Sequence, residues 1–171
     1  MKLTIIPFLL CLFVLSACGG STPIESAVAV IHPTVSNQAS GTVLFREKSD
    51  GVHLKIDIRG LTPGKHGFHV HKFGDCSANN GASAGGHFDP HGMNHGGPGK
   101  ETRHIGDLGN ITADEDGRAL IEKLDNTVSL NGEQGIIGRA IIIHAKPDDL
   151  HSQPTGAAGP RVGCGVIGIS H

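Results

Sequence analysis

Apolar and polar positions alternate with a period of two along most of this chain. Val52-His53-Leu54-Lys55-Ile56-Asp57-Ile58-Arg59 puts Val52, Leu54, Ile56 and Ile58 on one face, as a half-buried strand does. Ala27 to His32, ended by Pro33, is a shorter β-branched run, and Gly41 to Glu47 leads into a Ser49-Asp50-Gly51 turn. Lys65 to Phe73 follows a Leu-Thr-Pro-Gly turn. Ile111 to Asp114, Arg118 to Lys123, Ile136 to His144 and Val162 to Ile169 complete the series, with Ile136 to His144 the most apolar. No segment sustains helical periodicity over three turns. Short strands cut by Gly/Pro turns predict a single all-β sandwich or barrel.

The N-terminus breaks the pattern. Lys2 precedes an apolar run from Leu3 to Leu15, too short to span a bilayer comfortably. The run closes on Leu15-Ser16-Ala17-Cys18, which resembles the lipobox of bacterial lipoproteins. That resemblance implies a signal peptide over 1–17, a tether over 18–26 lipidated at Cys18, and one domain over 27–171. It implies an exported protein, periplasmic or on the cell surface, held to the membrane through that lipid.

Composition narrows the partners. The 14 Lys/Arg less Lys2, against 16 Asp/Glu, leave a formal charge of −3 after cleavage, so nothing points to nucleic acid. A small anionic substrate would need locally placed cations to draw it in. Cys11 leaves with the signal and Cys18 carries lipid, so Cys76 and Cys164 remain. In an exported protein such a pair most often forms a disulfide; two thiolate metal ligands are the alternative. A bridge across so long a loop stabilises by about 4–5 kcal/mol in chain-entropy terms.

The candidate chemistry sits between Gly67 and Asp107, which hold six of the 12 histidines. His69 and His71 are two apart on a strand and share a face, while Val70 points to the core. His87, His95, His104 and Asp107 add three imidazoles and a carboxylate, a set suited to zinc. All-imidazole coordination suits a copper ion that visits Cu(II), whereas a Cu(I) carrier would display thiolates or thioethers, and Met93 is the one Met beyond the signal. His144 ends the most apolar strand and so stands at the rim of the core.

Gly67-Phe68-His69-Val70-His71-x-Phe73-Gly74-Asp75, Gly86-His87-Phe88-Asp89-Pro90, His95-Gly96-Gly97-Pro98, Arg103-His104-Ile105-Gly106-Asp107 and Gly163-Cys164-Gly165-Val166 together resemble the copper/zinc superoxide dismutases. The resemblance covers about residues 27 to 171. It implies a flattened eight-stranded antiparallel Greek-key barrel, immunoglobulin-like in architecture, with long metal-binding and electrostatic loops. It implies one copper on His69, His71, His87 and His144, and one zinc on His87, His95, His104 and Asp107, with His87 bridging. Asp148 matches a carboxylate tying ligands of both metals together, Cys76 and Cys164 the family disulfide, Arg161 a cationic gate, and Thr155 the opposite channel wall. The implied activity is an oxidoreductase's: superoxide is dismutated to dioxygen and hydrogen peroxide, protecting the cell envelope, with His87 supplying a proton and Arg161 docking the anion. The alternative is a non-catalytic copper/zinc carrier on the same barrel.

Two positions depart from the family. Lys72 stands where Glu is usual, and the loop from Asp149 to Arg161 is shorter than in eukaryotic members and lacks their Glu/Lys charges. Ile137-Gly138 and Ile167-Gly168-Ile169 resemble the patch at which eukaryotic members pair, which implies a homodimer. His32, His53, His66, His91, His151 and His171 carry no expected role.

Overall fold

The computed structural model describes residues 22–171; the signal segment and Cys18 lie outside the described residues. Eight strands form one antiparallel sheet: β1 (Ser26–Pro33), β2 (Ser40–Lys48), β3 (Gly51–Arg59), β4 (Gly64–His71), β5 (Asp107–Ala113), β6 (Ala119–Asp125), β7 (Ala140–His144) and β8 (Arg161–Ile169). Their order is β5-β4-β7-β8-β1-β2-β3-β6, so the chain runs a β1-β2-β3 meander and then crosses the ends three times. The sheet curls until its edges β5 and β6 face each other. At that seam Lys123 of β6 donates to the carbonyls of Leu108 (2.6 Å) and Asn110 (3.3 Å) on β5, which ties an otherwise open edge. The all-β barrel expected from the alternation is the fold observed.

Alternation fills the interior. Val52, Leu54, Ile56 and Ile58 of β3 join Val43 and Phe45 of β2, Phe68 and Val70 of β4, and Ile141 and Ile143 of β7 in one core. Gly117, at φ 75°, makes the β5–β6 turn, and its carbonyl accepts from the Leu61 amide at 3.1 Å. A side chain at Gly117 would collide with that backbone.

The most apolar strand is shorter than the pattern implies. Ile136 to Arg139 is a turn, with Arg139 N–H on the Ile136 carbonyl at 3.1 Å and Gly138 at φ 76°. Ile136 looks like strand only because it is fully buried in the core. Within β7 all five residues are buried, since both faces are covered: Ile141 and Ile143 look inward, while Ala140, Ile142 and His144 look out beneath the long loops. Those loops, 72–106 and 145–160, roof the outer face of β4 and β7. The Cys76–Cys164 disulfide pins the first of them to β8 across 88 positions, and Ala84, Ala140 and Ile142 pack beside it in a second apolar cluster.

Candidate metal centre

His69 and His71 project from the roofed face of β4, and His144 from the adjacent β7, paired through His69↔Ile142 and His71↔Ala140. Loop 72–106 swings back along β4, pairs His87 with His71, and delivers a fourth imidazole. Each of these four rings uses one nitrogen on a fixed partner. His69 Nε2 lies 2.8 Å from Asp148 Oδ2, His71 Nδ1 2.8 Å from the Gly85 carbonyl, His87 Nδ1 2.7 Å from Asp107 Oδ1, and His144 Nδ1 2.9 Å from the Gly159 carbonyl.

The opposite nitrogens, His69 Nδ1, His71 Nε2, His87 Nε2 and His144 Nε2, are buried without a hydrogen-bond partner among the described residues. Buried polar atoms are otherwise nearly always satisfied. These four lie within 4.8 Å of one another. Carbonyl and carboxylate partners claim the ring protons on the far side, so four lone pairs face one point. A cation suited to imidazole, copper among them, satisfies all four at once.

The second cluster is built around a carboxylate. Asp107 Oδ1 has His87 Nδ1 at 2.7 Å, His95 Nδ1 at 3.0 Å and His104 Nδ1 at 3.1 Å. Its other oxygen accepts from the amides of Gly96 (3.0 Å) and His104 (2.8 Å), which fixes the carboxylate plane. Three imidazoles and one oxygen within 4.8 Å of one another fit tetrahedral zinc. His95 Nδ1 is buried and points at Asp107 Oδ1 off a good hydrogen-bond line, so this cluster too turns its donor atoms toward one shared point.

Asp148 joins the clusters. Its Oδ2 meets His69 Nε2 at 2.8 Å and its Oδ1 meets His95 Nε2 at 2.9 Å. Asn110 of β5 holds Asp148 by its backbone, donating to its carbonyl (2.9 Å) and accepting from its amide (2.8 Å). Gly156, at φ 64°, lies so close to the Asp148 carboxylate that no Cβ fits. Outer carboxylates of this kind set ring orientation and ligand basicity.

Charge follows burial. Burial pushes His87 down to about 4 and His144 down to about 3, and it holds His69 and His71 below the ordinary imidazole range. Burial also opposes a charge on His95, yet its contacts with Asp107 and Asp148 prevail and raise it to about 9. Burial would raise Asp107, but hydrogen bonds from His104, His87 and His95 hold it far below the usual carboxylate range. Asp148 is likewise depressed against burial by His69 and His95.

Arg161, half-buried at the start of β8, donates from Nη1 to the Gly81 carbonyl (2.5 Å) and from Nη2 to the Gly85 carbonyl (2.6 Å). The Gly85 carbonyl is also the partner of His71 Nδ1, so the cation and that imidazole share one backbone anchor. Thr155 is half-buried on loop 145–160, next to Gly156.

Four residues around the site have no role assigned from the sequence. His66 is buried, with Nδ1 2.8 Å from the carbonyl of His144 and Nε2 2.8 Å from that of Thr62. Arg103 pairs with both oxygens of Asp125 at 2.9 Å and donates to the Asp107 carbonyl at 2.5 Å. Asn110 and Arg139 complete the set. The partners of His66 and Arg103 include residues far along the chain, so no local pattern reveals them.

A family model described as "Copper/zinc superoxide dismutase (SODC)" matches residues 39–167. The "Extracellular superoxide dismutase [Cu-Zn]" of Brugia pahangi is 45% identical over 158 residues, covering 87% of this chain and 78% of its own. The "Superoxide dismutase [Cu-Zn]" of Paramecium bursaria Chlorella virus 1 is 48% identical over 152 residues, covering 85% and 79%. Among solved structures, the clock protein EA4 superposes with a TM-score of 0.81 at 44% identity, covering 88% of this chain and 98% of that one. Neither of the two relatives is a bacterial lipoprotein by its name, so they support the family and not the anchored form.

Proposed function

The chain belongs to the copper/zinc superoxide dismutase family, and from that premise we propose that it dismutates superoxide outside the cytoplasm while tethered by lipid at Cys18. One observation carries the reading of the site: four buried imidazole nitrogens without a donor, one of them on His87, whose other nitrogen belongs to the carboxylate-centred cluster. A carrier of either metal alone has no need of a shared ring.

His69, His71, His87 and His144 would hold copper; His87, His95, His104 and Asp107 would hold zinc. When bound, copper supplies the couple that takes an electron from one superoxide and returns it to a second, while zinc supplies no redox chemistry. His87 serves both clusters only with both nitrogens deprotonated, so its Nε2 is a site that can take up a proton and give it to the peroxide product. In the metal-free fold Asp107 holds that ring from Nδ1 at 2.7 Å; with zinc bound, the same two atoms would both serve as its ligands. Arg161, anchored on Gly81 and Gly85 beside His71, offers a fixed cation to the incoming anion. Steering of small anions by such charge is a behaviour for which superoxide dismutases are a standard example. Thr155 narrows the approach from the other side.

A lipobox ending at Cys18 supports export and anchoring, and the word "Extracellular" in one relative's name agrees with export. Of the patch the resemblance implies for pairing, Ile167 is fully buried and Ile137 packs against the core, while Ile169 is exposed beside the exposed Val30 and Val166 of β1 and β8, which supports pairing of two copies there. Metal analysis with a superoxide dismutation assay tests the activity. One copper and one zinc per chain with copper-dependent turnover is the expected result; bound metal without turnover favours the carrier. Mass analysis of the mature N-terminus tests the lipid on Cys18.

A further inference from the structure

Arg139 belongs to neither metal cluster, yet it reaches the residues that follow two copper-side histidines. It sits at the end of the 126–139 loop, where its own carbonyl accepts from Ile167 N–H at 2.8 Å. Its Nε donates to the Gly135 carbonyl at 3.0 Å and its Nη1 to the Lys72 carbonyl at 2.8 Å. Its guanidinium carbon stands 3.4 Å from the centroid of the Phe88 ring, close enough for a planar cation to stack on an aromatic face. Lys72 follows His71, and Phe88 follows His87.

Phe88 is buried, and its backbone joins three segments of the site. Its amide donates to the Val70 carbonyl at 2.8 Å, between His69 and His71, and its carbonyl accepts from Gly106 at 2.9 Å, next to Asp107. Gly106 has no room for a Cβ against the Val70 carbonyl, so this three-way junction is closely packed. Displacing the Phe88 side chain would strain the backbone that carries His87. Movement of the Lys72 carbonyl does the same for His71.

We propose that Arg139 is a positioning residue for copper: it clamps Lys72 and Phe88, and through them sets the angle between the His71 and His87 rings. The proposal rests on the assignment of His69, His71, His87 and His144 to copper. Zinc is less exposed to it, because His95, His104 and Asp107 are held by one another and by the amides of Gly96 and His104.

The test uses the mature chain loaded with zinc and titrated with copper(II), comparing wild type with Arg139→Ala and Arg139→Lys. Copper affinity should fall about tenfold in Arg139→Ala, the lower end of what outer-shell partners contribute, with an altered copper(II) electron paramagnetic resonance spectrum. Zinc affinity of the metal-free protein should change less than the copper affinity does. Arg139→Lys keeps the charge but loses the planar face and the two-point fork, so it should fail to restore the wild-type spectrum. Should Arg139→Ala unfold, Arg139→Lys gives the same readout. Equal weakening of both metals, or variant spectra identical to wild type, overturns the proposal. Failure of the wild type itself to bind copper overturns the site assignment beneath it, and the proposal with it.

Discussion

The two metal-binding clusters share His87 but are assembled by opposite means. The carboxylate-centred cluster comes from one stretch, His87 to Asp107, and closes on Asp107, whose two oxygens collect three imidazoles and two amides. The all-imidazole cluster draws His69 and His71 from β4, His87 from a loop and His144 from β7, and it contains no acid. One is a loop folded around a charge; the other is a gap between rigid strands lined with lone pairs. In the proposed assignment a zinc site closed within one loop is thereby paired with a copper site whose geometry the barrel imposes. With no carboxylate among its four rings, the all-imidazole cluster also presents no negative charge to repel an anion.

Removing the shared ring breaks the comparison most severely. His87→Ala should abolish dismutation and weaken both metals, which equilibrium dialysis against each metal will show; loss of copper alone would contradict the shared role. Asp148→Asn comes next, since that carboxylate touches His69 and His95. Its loss should lower affinity at both clusters by about 10–100-fold, measured by competition with a chelator. An effect confined to one metal would mean that the clusters are independent.

Arg161→Ala sharpens the contrast from the substrate's side. It should lower kcat/KM about tenfold and flatten its dependence on ionic strength, with copper and zinc contents unchanged. Copper loss in that variant would make Arg161 a support of His71, with which it shares the Gly85 carbonyl, and not a docking cation.

The smallest effect separates the clusters by pH in the metal-free protein. His87 and His144 are held down to about 4 and about 3 in the fold, below the unfolded value of about 6.5. The unfolded chain therefore binds more protons, and their contribution is present above 6.5 and lost as pH falls toward the folded values. His95 is raised to about 9, so its contribution is present below 6.5 and lost as pH rises through 9. Each group changes stability by at most about 1.4 kcal/mol per pH unit. Urea midpoints should fall on both sides of neutrality, and a flat profile between pH 7 and 4.5 would contradict the buried, neutral copper-side rings.

The same contrast explains why some features are legible in the amino-acid sequence and others are not. Strands announce themselves where one face is buried, as in β3, because alternation is the direct consequence of a half-buried pleat. The start of β7 misleads, because Ile136 is buried without being strand and periodicity cannot separate the two. That His87, His95, His104 and Asp107 form one cluster is legible because they lie close together along the chain. His144 is assigned to copper by family resemblance, since nothing near residue 144 points back to residue 69. Arg103, Asn110 and Arg139 act by gripping backbone carbonyls and a ring, interactions that impose no pattern on sequence. His66 has the surroundings of a turn residue in the sequence and is instead buried against the carbonyl of His144.

The central claim is one imidazole with a nitrogen in each cluster. Copper(II) loaded into both clusters tests it directly by electron paramagnetic resonance. A shared, doubly deprotonated His87 couples the two unpaired spins, so the signal that grows with the first equivalent should vanish as the second fills. Two additive, uncoupled copper(II) spectra would contradict the shared ring.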